Sequence, residues 1–369
     1  MGAHRNEIQL IHLLRGVAPL PVMWLHLSGL TVWHYHADWT PLRYFQRLLG
    51  TPLGLYQSGA HLGVVIFFLI SGFIISYVVE EETRMSFAIK RVFRLWPPIL
   101  FALIATAIGT YVGTVVPIPF SFADYARTFF LVDQFAGIGR HVLPVTWTLF
   151  PEVVFYIMVW CIAPMMRSKP LQSTLILTAA SYAIMASANI NGTPAVQFSP
   201  LGYLPLFLIG RLFVLFREQR ISGQMAMALG TAEVFLFYAV RVGIWWGIWR
   251  PQVLLDESLF PILATYPLAI IVFWLCMQWT AKTVPQPFRF FGDISYSLYL
   301  LHMPVGFAVI YYLYPALNFS LAFAAAVVAT LLVSWLSFRF VEEPSRGFCR
   351  RLIARRIVTR ETALAGAQV

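Results

Sequence analysis

Residues 8–33 read IQLIHLLRGVAPLPVMWLHLSGLTVW, an apolar stretch that carries the ionisable side chains of Arg15 and His26 near its two ends. The stretch is long enough to cross the hydrocarbon core of a bilayer as one helix. At about 100° per residue, the step from Arg15 to His26 is about three turns plus 20°, so both side chains project from one stripe, roughly 16 Å apart along the axis. Ionisable groups in a membrane helix usually face a protein-lined cavity. The pair therefore predicts one elongated site.

The composition of the whole chain also indicates a membrane protein. Hydrophobic residues make up 59% of the 369 residues and charged residues 11%, whereas a soluble domain carries about 25% charged residues. The first apolar stretch has no small-residue cleavage site, so it is expected to remain as a spanning helix. The cysteines Cys161, Cys276 and Cys349 are far apart, and neither disulfides nor a zinc site is expected.

Apolar windows of about 20 residues predict about ten membrane-spanning helices. The predicted spans are 9–33, 60–79, 97–116, 146–166, 172–190, 201–217, 224–248, 258–280, 289–313 and 319–341. They are separated by charges or turn residues, as at 80–82, 117–119, 191–194 and 285–287. An even number of spans places both termini on one side, and the excess of basic residues makes that side cytoplasmic. The basic residues in the loops on the other side are only five: Arg43, Arg47, Arg127, Arg140 and Arg250.

These patterns predict an all-α, polytopic membrane helix bundle with both termini in the cytoplasm. Residues 1–345 would form the membrane domain and residues 346–369 a basic cytoplasmic tail. Glu342 and Glu343, at the inner end of the last span, are expected to pair with arginines of the segment 90–94. The net charge of +10 follows from the topology and from attraction of the tail to anionic lipid. Nucleic-acid binding is not indicated.

Helical rise places the polar residues by depth. Arg15 comes out roughly 8 Å from the inner face and His26 roughly 25 Å, in a core of about 30 Å. Glu152 falls within roughly 10 Å of the outer face, and His302 at roughly 18–20 Å from the inner face. His26, Glu152 and His302 are therefore expected at a similar depth in the outer half. A histidine and a carboxylate in a dry site are suited to general base catalysis.

Plainer interpretations exist for each of these residues. His302 and His26 would also serve to hydrogen-bond two helices, and Glu152 to place a charge at the start of a helix. His26 shares its stripe with Arg15 and is the strongest candidate for a catalytic residue.

Six segments carry a family resemblance. They are the Arg15 and His26 pair, 66–73 (IFFLISGF), 90–97 (KRVFRLWP), 147–156 (WTLFPEVVFY), 292–302 (GDISYSLYLLH) and 341–344 (VEEP). In this order they resemble the motifs of the family-three membrane acyltransferases. The sequence departs from those motifs at Lys90, where arginine is usual, at Thr148, where serine is usual, and at Pro151, directly before Glu152.

The resemblance implies a ten-helix enzyme that transfers an acyl group, most often acetyl, from cytoplasmic acyl-CoA to a hydroxyl. Acyl-CoA (acetyl-CoA) would be the donor substrate, and no permanently bound cofactor or metal is implied. The acceptor would be a glycan such as exopolysaccharide or lipopolysaccharide. The location would be the inner (cytoplasmic) membrane of a bacterium, with the lipid bilayer and glycan-biosynthesis proteins as partners and the oligomeric state unspecified.

Residues for the donor follow from its charge. Acyl-CoA is a polyanion that approaches from the inside, where Lys90, Arg91 and Arg94 offer cations. Helical spacing would place Lys90 or Arg91 beside Arg94 so that a phosphate is shared, although positive-inside anchoring explains the same residues. Arg15 lies deeper and would hold a phosphate or a pantetheine amide.

Two mechanisms remain open for His26. It would remove the proton of the acceptor hydroxyl during direct transfer, or take the acyl group first as an acyl-histidine. Glu152 would orient His26 or act as the base itself.

The ninth span adds candidates for substrate binding. Ser295, Tyr299 and His302 recur at i, i+4 and i+7 on one face, with Tyr296 beside them. They would donate hydrogen bonds to an oxyanion, or bond neighbouring helices to one another.

A secondary transporter of a glycan-lipid or small solute is the alternative function, with His26, Glu152 and His302 as a proton relay. Such a transporter is expected to contain an inverted repeat. The Arg15 and His26 motif has no counterpart after residue 185, so the acyltransferase is the favoured hypothesis.

Overall fold

The computed structural model describes the backbone of residues 2–111, 120–133, 141–190, 199–244, 259–278 and 285–366. Every regular element in these ranges is helical, which confirms the predicted all-α fold. The turns predicted at 117–119 and 191–194 lie outside the described residues. The α-helices are α1 (Gly2–Val17), α2 (Pro19–Trp24), α3 (Thr31–His34), α4 (Thr40–Phe45), α5 (Ala60–Val78), α6 (Arg84–Tyr111), α7 (Phe122–Phe129), α8 (Leu149–Ser168), α9 (Pro170–Ile190), α10 (Leu204–Arg217), α11 (Gly223–Ile244), α12 (Leu259–Gln278), α13 (Gln286–Leu313), α14 (Phe319–Ser337) and α15 (Glu343–Gly366).

Seven helical stretches of the described chain are long and apolar enough to cross a membrane, which confirms a multi-pass membrane protein. The spans predicted at 172–190, 224–248 and 258–280 correspond to α9, α11 and α12, which are helical but are not among the seven. The count of ten and the cytoplasmic termini therefore stay predictions. The seven stretches are Leu10–His34, Tyr56–Val78, Arg84–Gly109, Pro144–Ser168, Pro200–Arg217, Gln286–Leu313 and Phe319–Arg355.

Three interhelical turns meet at one end of the bundle. Arg220, which follows α10, donates a hydrogen bond of 2.5 Å to Glu80, which follows α5. It also donates one of 2.6 Å to the carbonyl oxygen of Arg167, near the end of α8. The turns after α5, α8 and α10 thus share one side, in agreement with the charge pattern of the sequence. We call this side the inner end, because it is the side predicted to face the cytoplasm.

The first span is not one regular α-helix. α1 ends at Val17, and α2 begins with Pro19, a residue that fits the first helical position because its missing N–H is not needed there. Leu25–Leu30 then form a π-helical turn, which closes its hydrogen bonds over one residue more than an α-helix. The count of 100° per residue therefore does not hold through His26, which lies in this π turn.

α1 and α13 run parallel from the inner end outwards. His12 contacts the carbonyl oxygen of Arg289, and a Cβ added to Gly16 would lie 2.8 Å from the backbone nitrogen of Gly292. Further along, His26 of the first span contacts His302 of α13. Residues later in one helix therefore face residues later in the other, as in any pair of parallel helices. Glycine at the crossing lets the two backbones approach closely. α13 also packs against α6 and α14, which makes it the central helix on this side of the bundle.

α5 and α10 cross at another pair of glycines. A Cβ added to Gly72 would lie 1.9 Å from the carbonyl oxygen of Phe207, and one added to Gly210 would lie 2.2 Å from the carbonyl oxygen of Leu69. Both neighbours are backbone atoms, so no side-chain rotation relieves the overlap. This crossing fixes α5, which supplies Ser71 to the site described below.

We expect Gly72→Ala to push α5 away from α10 and to lower the thermal stability of the purified protein, since overpacking costs about 1–3 kcal/mol. Gly347→Ala is the matched control, because nothing lies within 4 Å of its added Cβ. Thermal unfolding in detergent, followed by loss of the monodisperse species, measures both variants. Equal stability of the two would contradict the close crossing.

Candidate active site

Two histidines from distant parts of the chain meet inside the bundle. Nδ1 of His26, in the π turn, lies 2.7 Å from Nε2 of His302 on α13. The two rings stack at an angle of 18°, with centroids 5.0 Å apart. His302 is 1% exposed, and its Nδ1 lies 3.1 Å from the carbonyl oxygen of Leu298.

The partners of this pair fix which nitrogens carry protons when both rings are neutral. A carbonyl oxygen only accepts hydrogen bonds, so Nδ1 of His302 must be the donor to Leu298. Nε2 of His302 is then unprotonated and accepts from Nδ1–H of His26. Nε2 of His26 is left with a free lone pair, which is the state required of a general base or a nucleophile.

A narrow cavity of about 50 Å³ lies on the inner side of the histidine pair. It has room for a few water molecules or a slender chain but not for a nucleotide. Neither imidazole belongs to its lining. Tyr299, whose ring centroid is 6.0 Å from that of His302, lies between the cavity and the pair. The lining consists of Arg15, Val64, Phe67, Phe68, Ser71, Arg94, Thr148, Leu149, Glu152, Ser295, Tyr296 and Tyr299.

Arg15 and Arg94 give the cavity its positive charge. Within the described part of the chain, neither guanidinium forms a hydrogen bond or a close ion pair, and the two interact unfavourably with each other. Both are attracted by the carboxylate of Glu152. Guanidinium groups pair strongly with carboxylates and phosphates, so the two that line this cavity are suited to an anionic group.

Glu152 lies farther from the outer face than the sequence predicts, and it is not beside His26. It accepts hydrogen bonds from Ser71 at 3.1 Å and from Tyr156, and it shares the cavity with Arg94, ten residues into α6. The sequence pattern places the start of the fourth span at residue 146. In the structure, Pro144–Thr148 form a short 3₁₀ turn that is itself largely buried. α8 therefore starts below the outer face. The expectation that Glu152 orients His26 is corrected: the residue that bonds His26 is His302.

The basic segment of α6 is divided between two environments. Lys90 forms an ion pair of 2.8 Å with Glu82, and Arg91 lies 3.8 Å from the other oxygen of that carboxylate. Only Arg94 points into the cavity. The expected sharing of a phosphate by Lys90 or Arg91 with Arg94 is thus not supported by their placement.

The candidate hydroxyls of α13 already donate hydrogen bonds to backbone carbonyl oxygens of the protein. Ser295 donates to the carbonyl oxygen of Gly292, Tyr296 to that of Leu95 and Tyr299 to that of Val145. Tyr299 also bonds Thr148 at 2.8 Å. In this conformation these groups join helices, so the oxyanion role that the sequence suggests would require them to exchange partners.

The pairing expected for the last carboxylates is wrong. Glu342 accepts from Ser297 and Arg346, and Glu343 pairs with Arg339. Residues three or four positions apart meet on a helix, and this local pairing prevails over the predicted pairing with the segment 90–94.

His61 is a site residue that the sequence did not single out. It is 8% exposed at the outer end of α5, where its Nδ1 lies 3.2 Å from the hydroxyl of Tyr203. It also lies close enough to His26 for their charges to interact. The available signal was a histidine at the start of a predicted span, but its neighbours Tyr203, directly before α10, and Tyr266, in α12, are far away in the sequence.

The fold and the site define a multi-pass membrane protein in which a cavity lined by two arginines lies on the inner side of a pair of imidazoles. Comparison with known proteins identifies the family. Residues 8–339 match the family described as "Acyltransferase domain". The match covers nearly the whole chain, so the protein belongs to this acyltransferase family.

Two relatives extend the comparison. Nodulation protein 10 of Rhizobium leguminosarum bv. viciae is 24% identical over 389 residues, covering 96% of this chain and 97% of that protein. O-acetyltransferase OatA of Staphylococcus aureus (strain NCTC 8325 / PS 47) is 25% identical over 357 residues, covering 86% of this chain and 55% of OatA. The chain therefore spans about half the length of OatA. No solved structure matches.

The histidine pair predicts a specific tautomer. We expect ¹⁵N spectra of the side chains to show His26 protonated at Nδ1, and His302→Phe to abolish this signature because the acceptor is lost. His34→Phe, at an exposed position near the outer end of the first span, is the control and should leave the His26 signals unchanged. A His26 ring protonated at Nε2 alone in the wild-type protein would contradict the arrangement.

Proposed function

We propose that the protein is an integral membrane O-acyltransferase that moves an acyl group, acetyl in the first instance, from cytoplasmic acyl-CoA to a hydroxyl of a cell-surface or exported glycan. The observation that carries the proposal is the His26 and His302 pair, because it leaves Nε2 of His26 unprotonated. Membership of the acyltransferase family supports the reaction class. The relative OatA is an O-acetyltransferase by name, which supports acetyl as the group and a hydroxyl as its acceptor.

The donor enters from the inner end in this proposal. Arg15 and Arg94 attract the anionic donor, and the slender pantetheine arm fits a narrow cavity better than the nucleotide does. The thioester must then pass Tyr299 to reach His26. His302 lies seven positions after Ser295, a residue of the cavity lining, which is roughly 10 Å by helical rise. A movement of Tyr299 away from Thr148 and Val145 would open this path.

Direct transfer is the first of two routes. Nε2 of His26 takes the proton of the acceptor hydroxyl while the hydroxyl oxygen attacks the thioester carbon. The C–S bond breaks, the ester forms, and the CoA thiolate leaves and takes up the proton from His26. His302 supports the step because it holds His26 in the Nδ1–H tautomer and shares the positive charge that develops.

The second route passes through an acyl-histidine. Nε2 of His26 attacks the thioester carbon, the C–S bond breaks, and the CoA thiolate leaves. The oxygen of the acceptor hydroxyl then attacks the acyl carbon, the bond from that carbon to Nε2 breaks, and the hydroxyl proton passes to the CoA thiolate. The tautomer is the same in both routes. In either one Glu152 acts through the cavity: held by Ser71 and Tyr156, it offsets part of the charge of Arg15 and Arg94.

The His26→Ala variant tests the proposal. In nanodiscs supplied with labelled acetyl-CoA and candidate polysaccharides, we expect the wild-type protein to transfer acetyl and His26→Ala to lose at least about 10²-fold in rate, the usual contribution of a general base. His34→Ala serves as the control. Transfer at the wild-type rate by His26→Ala would overturn the role of His26. Solute movement without consumption of acetyl-CoA by the wild type would favour a transporter.

The division of the basic segment predicts unequal effects on the donor. Arg94→Ala should raise the KM for acetyl-CoA about tenfold or more, because a charged hydrogen bond contributes about 1.5–3 kcal/mol. Lys90→Ala should change it less than Arg94→Ala, since Lys90 already pairs with Glu82. Steady-state kinetics over a range of acetyl-CoA concentrations measures both. A larger effect of Lys90→Ala would show that the segment binds the donor with its other face.

A further inference from the structure

The last helix is docked beside the donor cavity. Ser345 donates a hydrogen bond of 2.9 Å to the carbonyl oxygen of Phe93, the residue before Arg94. The ring of Phe348 lies 5.6 Å from that of Phe93. The start of α15 is thus fixed against α6, and Arg346, one of the two residues between these contacts, is brought to the inner rim of the site.

Arg346 is held in place by a buried carboxylate. Its Nη2 donates to Glu342 at 2.8 Å, and Glu342, which is 3% exposed, also accepts from Ser297. The guanidinium carbon lies 5.7 Å from the ring centre of Phe338. A guanidinium has five N–H donors, and the side chain of Arg346 is 42% exposed. Most of its donors therefore remain available to a ligand from the inner end.

The charges at this rim do not balance. Arg15 interacts unfavourably with both Arg94 and Arg346, and favourably with Glu342 and Glu152. Three guanidinium groups thus face two carboxylates. Each carboxylate already accepts hydrogen bonds from neighbouring hydroxyls, Glu152 from Ser71 and Tyr156 and Glu342 from Ser297. The remaining positive charge favours an anion at the rim.

We propose that Arg346 is a further binding residue of the donor site: it holds a phosphate group of the acyl donor at the inner rim of the cavity, and Arg94, in the cavity lining, adds positive charge beside it. This inference rests on the proposed function. The cavity, at about 50 Å³, admits a slender chain but not a nucleotide, so the phosphates stay at the rim while the thioester arm enters. Guanidinium groups bind phosphate in a bidentate manner, and Glu342 orients Arg346 for it.

Direct binding of CoA tests the assignment without relying on turnover. By calorimetry in nanodiscs of zwitterionic lipid, Arg346→Ala should weaken CoA binding about tenfold or more, the effect expected from loss of a charged hydrogen bond. Pantetheine, which has no phosphate, should bind both proteins equally. Arg351→Ala is the matched control, since Arg351 is exposed on the same helix but points about 140° away. A change in CoA affinity of less than twofold in Arg346→Ala would overturn the proposal.

A lipid headgroup is the other source of a phosphate, and the lipid composition distinguishes it. The measurement is repeated in nanodiscs that contain anionic phosphatidylglycerol. If Arg346 binds the donor, Arg346→Ala weakens CoA binding relative to the wild type in zwitterionic lipid, where no anionic headgroup is present. If Arg346→Ala matters only in anionic lipid, and equally for CoA and pantetheine, Arg346 is a lipid contact and the proposal fails.

Turnover separates this inference from the proposed function. Wild-type protein that binds CoA but transfers no acetyl to any glycan would count against the acyltransferase proposal and leave the Arg346 result standing. Active wild-type protein with unchanged KM for acetyl-CoA in Arg346→Ala would count against Arg346 alone. Arg346→Lys keeps the charge but not the bidentate geometry, and should restore part of the affinity.

Discussion

Polar groups inside a membrane protein have no bulk water to bond, so each must find its partner within the chain. α13 is the helix on which this constraint is met most fully. Tyr296 bonds α6, Ser297 bonds α14, Tyr299 bonds the turn before α8, and His302 bonds the π turn of the first span. Four neighbouring elements are thereby held in register around one helix. The tautomer of His26 is a product of the same network.

Two arginines that line the cavity do not follow this constraint. Arg15 and Arg94 reach the cavity without a hydrogen bond among the described residues, whereas Arg211, also buried, donates to Thr174, Ser173 and the carbonyl oxygen of Pro170. Arg211 therefore acts as a structural tie between α9 and α10. The two arginines of the cavity thus differ from Arg211 in forming no hydrogen bond among the described residues, and this difference supports the proposal that they bind an anionic group.

Much of this could be predicted from the sequence, and the failures have physical causes. The apolar windows predicted the helical membrane bundle, and the placement of His26 and His302 at a similar depth agrees with their contact. Glu152 was misplaced because the length of an apolar window does not show where within it the helix begins. Lys90 and Arg94 looked equivalent because helical spacing shows which residues share a face but not which carboxylate lies opposite. His61 was missed because its partners come from other helices.

The narrow cavity has a consequence for the membrane as an electrical insulator. A protein that passes acyl groups between the two sides of a bilayer must not also conduct ions, and a continuous column of water through the bundle would do so. Here the cavity ends at Tyr299, and the imidazoles beyond it are stacked and bonded to each other. The side chains that close the path to water are therefore the same ones that we propose for catalysis, together with Tyr299. A variant that opens the path at Tyr299 is therefore expected to change the ion conductance of the membrane as well as turnover.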